Sequence, residues 1–109
     1  MHTLFLIFRD SDQSYRGYTV SGHAGYDEVG RDIICACVSV LTQNTANSIE
    51  RFTDDSIRGE MGEEGYLKVE FPDGISAESK LLMDSMISGL TDIVEAYGKQ
   101  YLKIRFKEV

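Results

Sequence analysis

The apolar positions of this chain mark five short strands. The segments are "HTLFLIFRD", "YRGYTVSGHA", "SIRGEM", "GYLKVEF" and "YLKIRFKEV". They are rich in Leu, Ile, Val, Phe and Tyr, and several of them alternate apolar and polar residues, which is typical of half-buried β-strands. The polar cluster "DSDQS" separates the first two segments, and "GEE" separates the third and fourth. The pattern therefore predicts two β-hairpins and a fifth strand at the end.

Two longer segments have the period of a helix. From Asp32 to about Phe52, one set of residues falls within about 60° on a helical wheel. The set is Ile34, Val38, Leu41, Thr45, Ile49 and Phe52. The second helix is expected to run to Tyr97, with Ser76 as its N-cap and Gly98 as its terminator.

The element order is therefore ββαββαβ. It predicts an α+β fold, a two-layer sandwich in which two helices cover a mostly antiparallel five-stranded sheet. The chain has 109 residues, of which 42% are hydrophobic and 27% are charged. This size and composition are those of one globular domain, so we assign residues 1–109 to a single domain.

Charge and cysteine content narrow the possible partners. The net charge of −7 argues against direct binding of nucleic acid, whereas an acidic surface attracts a basic protein. The two cysteines are one residue apart and cannot form an ordinary disulfide, and no apolar run approaches the roughly 18 residues of a membrane span. We expect a cytoplasmic protein without a membrane segment.

The cysteines lie near the predicted start of the first helix. On the wheel, Cys37 is about 60° from the centre of the apolar stripe and Cys35 about 100° away on the other flank, so Cys37 is expected in the core and Cys35 at its exposed edge. If Asp32 is the N-cap, Cys35 is the third helical residue, where the helix end stabilises a thiolate. His23 could complete a nucleophile–base dyad. The alternative is two structural cysteines and a polar histidine at a strand end.

Two further side chains have open roles. Asp32 could serve only as a helix cap, or it could orient the imidazole of His23 as the acid does in a serine triad. Ser39 could be a simple helix-face hydroxyl, or it could hydrogen-bond to the sulfur or the substrate.

No motif indicates a cofactor. A C-x-C sequence on a helix points its sulfurs apart, and no second cysteine pair supplies the usual spacing of a structural zinc site, so we expect no metal. No glycine-rich nucleotide-binding motif is present either. The glycines Gly22, Gly25 and Gly30 could permit turns with positive φ, or they could allow a loop to move over a bound peptide.

The combined motif resembles the ribosomal-processing cysteine proteases of the Prp family, also called YsxB-like. It consists of Gly22-His23-Ala24, Gly30, Asp32-Ile33-Ile34-Cys35-Ala36 and Ser39. Order and spacing match the family signature without a gap. One departure is Cys37, where the family often has a small Ala or Gly.

The resemblance implies a specific activity and its site. Such proteases are homodimers that remove a short N-terminal extension from a large-subunit ribosomal protein, number twenty-seven. They cut after a pair of aromatic residues, which implies an apolar pocket near the nucleophile. His23 and Cys35 would be base and nucleophile, with Asp32 and Ser39 in support. The substrate loop would comprise Gly22, Ala24, Gly25 and Gly30.

Other features bear on assembly and on rival functions. Val40 lies outside the core face, and the second helix has a broad apolar surface that includes Leu81, Met83, Ile87 and Val94. Surplus apolar area favours a homodimer. Residues 25–30 are expected to be mobile until a peptide binds. The alternatives to a protease are a non-catalytic, ribosome-associated peptide-binding module and a thiol redox sensor.

Overall fold

The computed structural model describes residues 3–22 and 31–109, without the side chains of Arg31, Asp32 and Glu64. The predicted order of elements is confirmed. The elements are β1 (Thr3–Arg9), β2 (Tyr15–Ser21), α1 (Arg31–Phe52), β3 (Arg58–Met61), β4 (Leu67–Glu70), α2 (Ala77–Tyr97) and β5 (Leu102–Glu108), with a 3-10 turn at Glu63–Gly65 between β3 and β4. No helix in the described part of the chain has the length and hydropathy needed to cross a membrane.

The five strands form one sheet in the order β3-β4-β2-β1-β5. Three of the four pairings are antiparallel, and only β1 and β5 run parallel. The parallel pair is possible because α2 carries the chain back across the sheet before β5 begins. The sheet is therefore mixed but mostly antiparallel, as predicted.

Both helices contribute to a core on one face of the sheet. Alternate residues of β1 point into it, so that Thr3, Phe5 and Ile7 are all buried. The other buried apolar residues include Tyr18, Val20, Ile34, Val38, Ile49, Val69, Phe71, Met83, Met86, Leu90 and Leu102. The start of β1 therefore lies beneath the helices, close to the part of α1 that carries the cysteines.

The ends of α2 follow the local sequence signals. The Ser76 side chain caps the helix by accepting a hydrogen bond from the Ser79 backbone amide at 3.3 Å. At the other end, Gly98 has a φ of 97° and its amide donates to the Val94 carbonyl at 2.8 Å. A side chain at that φ would be strained, which is why glycine ends the helix.

The first helix is rotated relative to the prediction. Thr42 and Thr45 are buried, and each donates its hydroxyl to a carbonyl one turn earlier at 2.8 Å, Val38 and Leu41 respectively. These bonds satisfy the buried hydroxyls, so both threonines can face the core, Thr45 as predicted and Thr42 in addition. The buried arc is therefore centred about 30° further round the helix, toward Cys35. Phe52, predicted on the core stripe, is 77% exposed, and that prediction is wrong.

Candidate active site

The rotation of α1 exchanges the predicted environments of the two cysteines. Cys35 is buried, with 7% of its surface exposed, and Cys37 is exposed. The expectation of a core Cys37 and an exposed Cys35 is therefore wrong. The physical reason is the burial of Thr42, which shifts the core face toward Cys35 and away from Cys37. The two sulfurs do point in different directions, since residues two apart on a helix differ by about 200°.

The start of α1 also differs from the prediction. The helix begins at Arg31, so Asp32 is its second residue and not the N-cap. Cys35 is accordingly the fifth helical residue, beyond the four free amides of the helix end. The field of the helix terminus weakens within the first turn, so it favours a thiolate at Cys35 less than expected. The side chain of Asp32 lies outside the described part of the chain.

A hydroxyl from the sheet approaches the Cys35 sulfur. Thr3, the first residue of β1, has its Oγ1 atom 3.9 Å from the Cys35 Sγ atom, and either group can act as the donor. The two residues are 32 positions apart, and no local motif links them. Only the alternation of β1, which puts Thr3 on the same face as Phe5 and Ile7, could have indicated a polar residue under the helix.

A small cavity borders the sulfur. It measures about 10 Å³ and is lined by Thr3, Val20, Cys35, Val38, Ser39 and Gly65. This volume is close to that of a single water-sized probe. The structure therefore brings Ser39, which is half-buried, to the same cavity as Cys35, as its spacing of one helical turn suggested.

Tyr18 holds the sheet-facing side of α1 in place near Thr42. Its phenol donates a 2.7 Å hydrogen bond to the Thr42 carbonyl from a fully buried position on β2. Burial raises the pKa of Tyr18 above its ordinary value, so the phenol keeps its proton and remains a donor. This bond ties the cysteine-bearing helix to the middle of the sheet.

The described residues also locate the chain that leads toward His23. Ser21, the last residue of β2, pairs with Leu4, the neighbour of Thr3. The next residue, Gly22, has a φ of 78°, a left-handed conformation that favours glycine. The β2 strand thus ends at the same end of the sheet as Cys35. His23, Ala24, Gly25 and Gly30 lie outside the described residues, and so does the predicted mobile loop 25–30.

The outer side of the helix layer carries an open apolar groove. It has a volume of about 440 Å³ and is lined by Ala36, Cys37, Val40, Leu41, Gly89 and Ile93. Val40 is 67% exposed there, in agreement with its predicted position outside the core. The described part of the chain contains no group of three or more His, Cys, Asp or Glu side chains placed to hold a metal ion.

The chain is similar in sequence to known proteins. The chain is 26% identical over 96 residues to the ribosomal processing cysteine protease Prp of Bacillus subtilis, covering 87% of this chain and 86% of that protein. The Staphylococcus aureus protein of the same name is 26% identical over 91 residues, covering 81% and 83%.

Solved structures show the same fold. A crystal structure of a Streptococcus mutans protein superposes with a TM-score of 0.85 at 24% identity, covering 99% of this chain and 96% of that one. The S. aureus protease Prp with a substrate peptide gives 0.87 at 22% identity, covering 96% and 99%. A family model described as cysteine protease Prp matches residues 3–103. This chain belongs to the Prp family of cysteine proteases.

Proposed function

We propose that this protease removes a short N-terminal extension from the large-subunit ribosomal protein number twenty-seven in the cytoplasm, with Cys35 and His23 as its catalytic dyad. One observation carries the assignment of the nucleophile. Of the two cysteines, Cys35 is the one buried against the sheet. It lies at the end of the sheet where β2 stops, two residues before His23 in sequence. Cys37 faces the opposite side of the helix layer.

The proposed substrate rests on the relatives and on charge. The curated relatives from B. subtilis and S. aureus are named ribosomal processing proteases. The S. aureus protein has been crystallised with a substrate peptide and with a covalently linked product peptide. A covalent product is what a thiol nucleophile leaves on its enzyme. A chain with a net charge of −7 also complements a basic ribosomal protein.

The chemistry is that of a thiol protease. The Cys35 thiolate attacks the scissile carbonyl carbon and forms a sulfur–carbon bond. The carbon–nitrogen bond then breaks as protonated His23 gives its proton to the leaving amine. His23, now neutral, takes a proton from water, whose oxygen attacks the thioester. The second product leaves as a carboxylic acid, and Cys35 is restored.

The remaining site residues have supporting roles in this proposal. Ser39 borders the same small cavity as the sulfur, where its hydroxyl is available to the thiol or to a substrate oxygen. Asp32 lies in the first turn of α1 and is proposed to orient His23. Gly22, Ala24, Gly25 and Gly30 would form the loop that covers the peptide, and Gly22 already has the backbone geometry that requires glycine.

The cleavage test uses a peptide with a Phe-Phe-Ala junction, read by mass spectrometry. The wild-type protein should cut it after the second Phe, whereas Cys35→Ser should leave it intact and still bind it. His23→Ala should lose most of the rate, because the leaving amine then lacks its proton donor. Asp32→Asn tests the role of Asp32: a loss as large as that of His23→Ala would make it a member of a catalytic triad, and a smaller loss would leave it a structural residue. A Cys35→Ser variant that still cleaves would refute the mechanism, and a wild-type protein that binds without cutting would favour the peptide-binding alternative.

The same family resemblance supports a homodimer formed through the outer side of the helices. The apolar groove beside Val40 and the 70% exposure of Leu81 provide an uncovered apolar surface there. Met83, which was predicted to belong to this surface, is fully buried in the core, so that part of the prediction is wrong. Sedimentation at tens of micromolar should give a dimer, and Val40→Asp should give a folded monomer. A wild-type monomer of 12.2 kDa would contradict the proposal.

A further inference from the structure

We propose that Thr3 is a positioning residue for the nucleophile: its hydroxyl orients the Cys35 sulfur and stabilises the thiolate by donating a hydrogen bond to it. The inference rests on the proposed role of Cys35 as nucleophile. It assigns a part in the chemistry to the first strand.

The contact joins two buried polar groups. Thr3 is 4% exposed and Cys35 is 7% exposed, and their Oγ1 and Sγ atoms are 3.9 Å apart. Within the described residues, the sulfur is the hydrogen-bond partner of the Thr3 hydroxyl. A thiol can donate or accept, but a thiolate can only accept. Once Cys35 ionises, the hydroxyl therefore has to be the donor.

The hydroxyl is held by rigid structure. The Thr3 amide donates to the Tyr101 carbonyl at 2.9 Å, and Thr3 is paired with Leu102 in the parallel β1–β5 ladder. Threonine is branched at Cβ, which limits its side-chain rotamers. The oxygen is thus fixed by the sheet, independently of the loop that contains His23. A donor on a rigid strand positions a reacting atom more accurately than one on a loop.

The surroundings of the sulfur make this donor important. The adjoining cavity of about 10 Å³ leaves space for about one water molecule, so bulk water does not solvate a thiolate on this side. Of the six described residues that line it, three are apolar or lack a side chain: Val20, Val38 and Gly65. The other three are Cys35 itself, Thr3 and Ser39. Among the described residues, the hydroxyls of Thr3 and Ser39 are the polar side chains that border the sulfur.

The size of the effect follows from the bond type. A hydrogen bond to a charged group is stronger than one between neutral groups, but 3.9 Å is long even for a bond to sulfur. Removing the hydroxyl is therefore expected to reduce the thiolate population at neutral pH by about three- to tenfold. The pH at which alkylation reaches half its maximal rate would rise by about half a unit to one unit.

The test measures iodoacetamide alkylation of Cys35 across pH. All proteins carry Cys37→Ala, so that the exposed cysteine does not contribute. Thr3→Val keeps the shape and removes the hydroxyl, and should shift the alkylation midpoint upward. Thr3→Ser restores the hydroxyl and should return the midpoint to that of the parent.

A matched control is the same change at Thr42. That hydroxyl is also buried in the helix layer, but it donates to the Val38 carbonyl. Thr42→Val should therefore leave the midpoint unchanged, and thermal melting of each variant shows whether it is folded. The proposal is overturned if Thr3→Val has the parent profile, or if Thr3→Ser shifts as far as Thr3→Val.

Alkylation needs no substrate, so this result is separable from the proposed protease function. If Cys35→Ser still cleaves the Phe-Phe-Ala peptide, the proposed function fails whatever Thr3 does. If cleavage requires Cys35 but Thr3→Val does not move the midpoint, only the inference about Thr3 fails. If both hold, cleavage by Thr3→Val should be slow at neutral pH and recover as the pH rises.

Discussion

Cys35 and Cys37 are separated by a single residue of α1, yet they lie in opposite environments. Cys35 is buried against the sheet, beside Thr3 and a cavity the size of one water molecule. Cys37 is exposed and lines an open apolar groove on the outer side of the helices. The comparison shows that two thiols at nearly the same position along a helix can have opposite environments. The decisive factor is which face of the helix meets the sheet.

The inner face of α1 is fixed by packing and by a few buried hydrogen bonds. Val38 and Ile49 fill the core, and Tyr18 reaches up from β2 to the Thr42 carbonyl. On the outer face, Val40 remains exposed. Substitutions on the two faces should therefore differ sharply in their effect on the free energy of unfolding.

The largest expected difference is between two neighbouring residues of α1. Ile49 is fully buried, so Ile49→Ala should lower the free energy of unfolding by about 2–5 kcal/mol. Glu50 is exposed, and Glu50→Ala should change it by less than about 0.5 kcal/mol. Urea denaturation followed by circular dichroism measures both. Equal losses at the two positions would mean that the inner face of the helix is assigned wrongly.

A smaller loss is expected from the hydrogen bond that orients the helix. Tyr18→Phe removes the donor to the Thr42 carbonyl and should lower the free energy of unfolding by about 0.5–1.5 kcal/mol. Tyr97→Phe is the matched control because Tyr97 is exposed. If the Tyr18 bond also sets the rotation of α1, Tyr18→Phe should slow alkylation of Cys35 but not that of Cys37. Identical melting curves for both phenylalanine variants would count against this role.

The smallest effect is expected just beyond the last turn of α1, where polar contacts connect it to α2. The Asp55 carboxylate accepts from the Ser76 amide at 2.9 Å and from the Ser76 hydroxyl at 2.7 Å, and it also accepts from the Ser79 hydroxyl. The bond from Ser79, followed by those from Ser76, holds the pKa of Asp55 below its ordinary value of 3.8. Asp55→Asn should lower the free energy of unfolding only modestly at neutral pH, because an amide oxygen still accepts one of these bonds.

The contribution of Asp55 to the free energy of unfolding should depend on pH in one direction only. A carboxyl with a lowered folded pKa contributes stability that is present above its unfolded pKa and is lost as the pH falls through the folded value. The difference between wild type and Asp55→Asn should therefore be constant near neutral pH and shrink below about pH 4. Denaturation at a series of pH values measures it. A difference that grows on acidification would contradict the assigned hydrogen bonds.

Local signals predicted most of the fold, whereas contacts distant in sequence determined the site. Ser76 and Gly98 end α2 where their own side-chain and backbone preferences place them. The face of α1 that meets the sheet could not be predicted fully from the sequence pattern, because Thr42 is buried through a hydrogen bond to its own helix. Thr3 lies beside Cys35 because β1, paired with β5, runs beneath the helix, and no short motif encodes this contact.

The most direct test of Cys35 as the nucleophile is to identify the sulfur that reacts with a substrate-like electrophile. A peptidyl chloromethyl ketone ending in Phe-Phe would be incubated with the wild-type protein and digested with trypsin. Both cysteines then lie on one peptide, residues 32–51. Fragment ions from backbone cleavage on either side of Ala36 contain only one of the two cysteines, so they show which one carries the adduct. We predict that the adduct forms on Cys35, that Cys37→Ala is labelled to the same extent, and that Cys35→Ser is not labelled. An adduct on Cys37, or undiminished labelling of Cys35→Ser, would contradict this prediction.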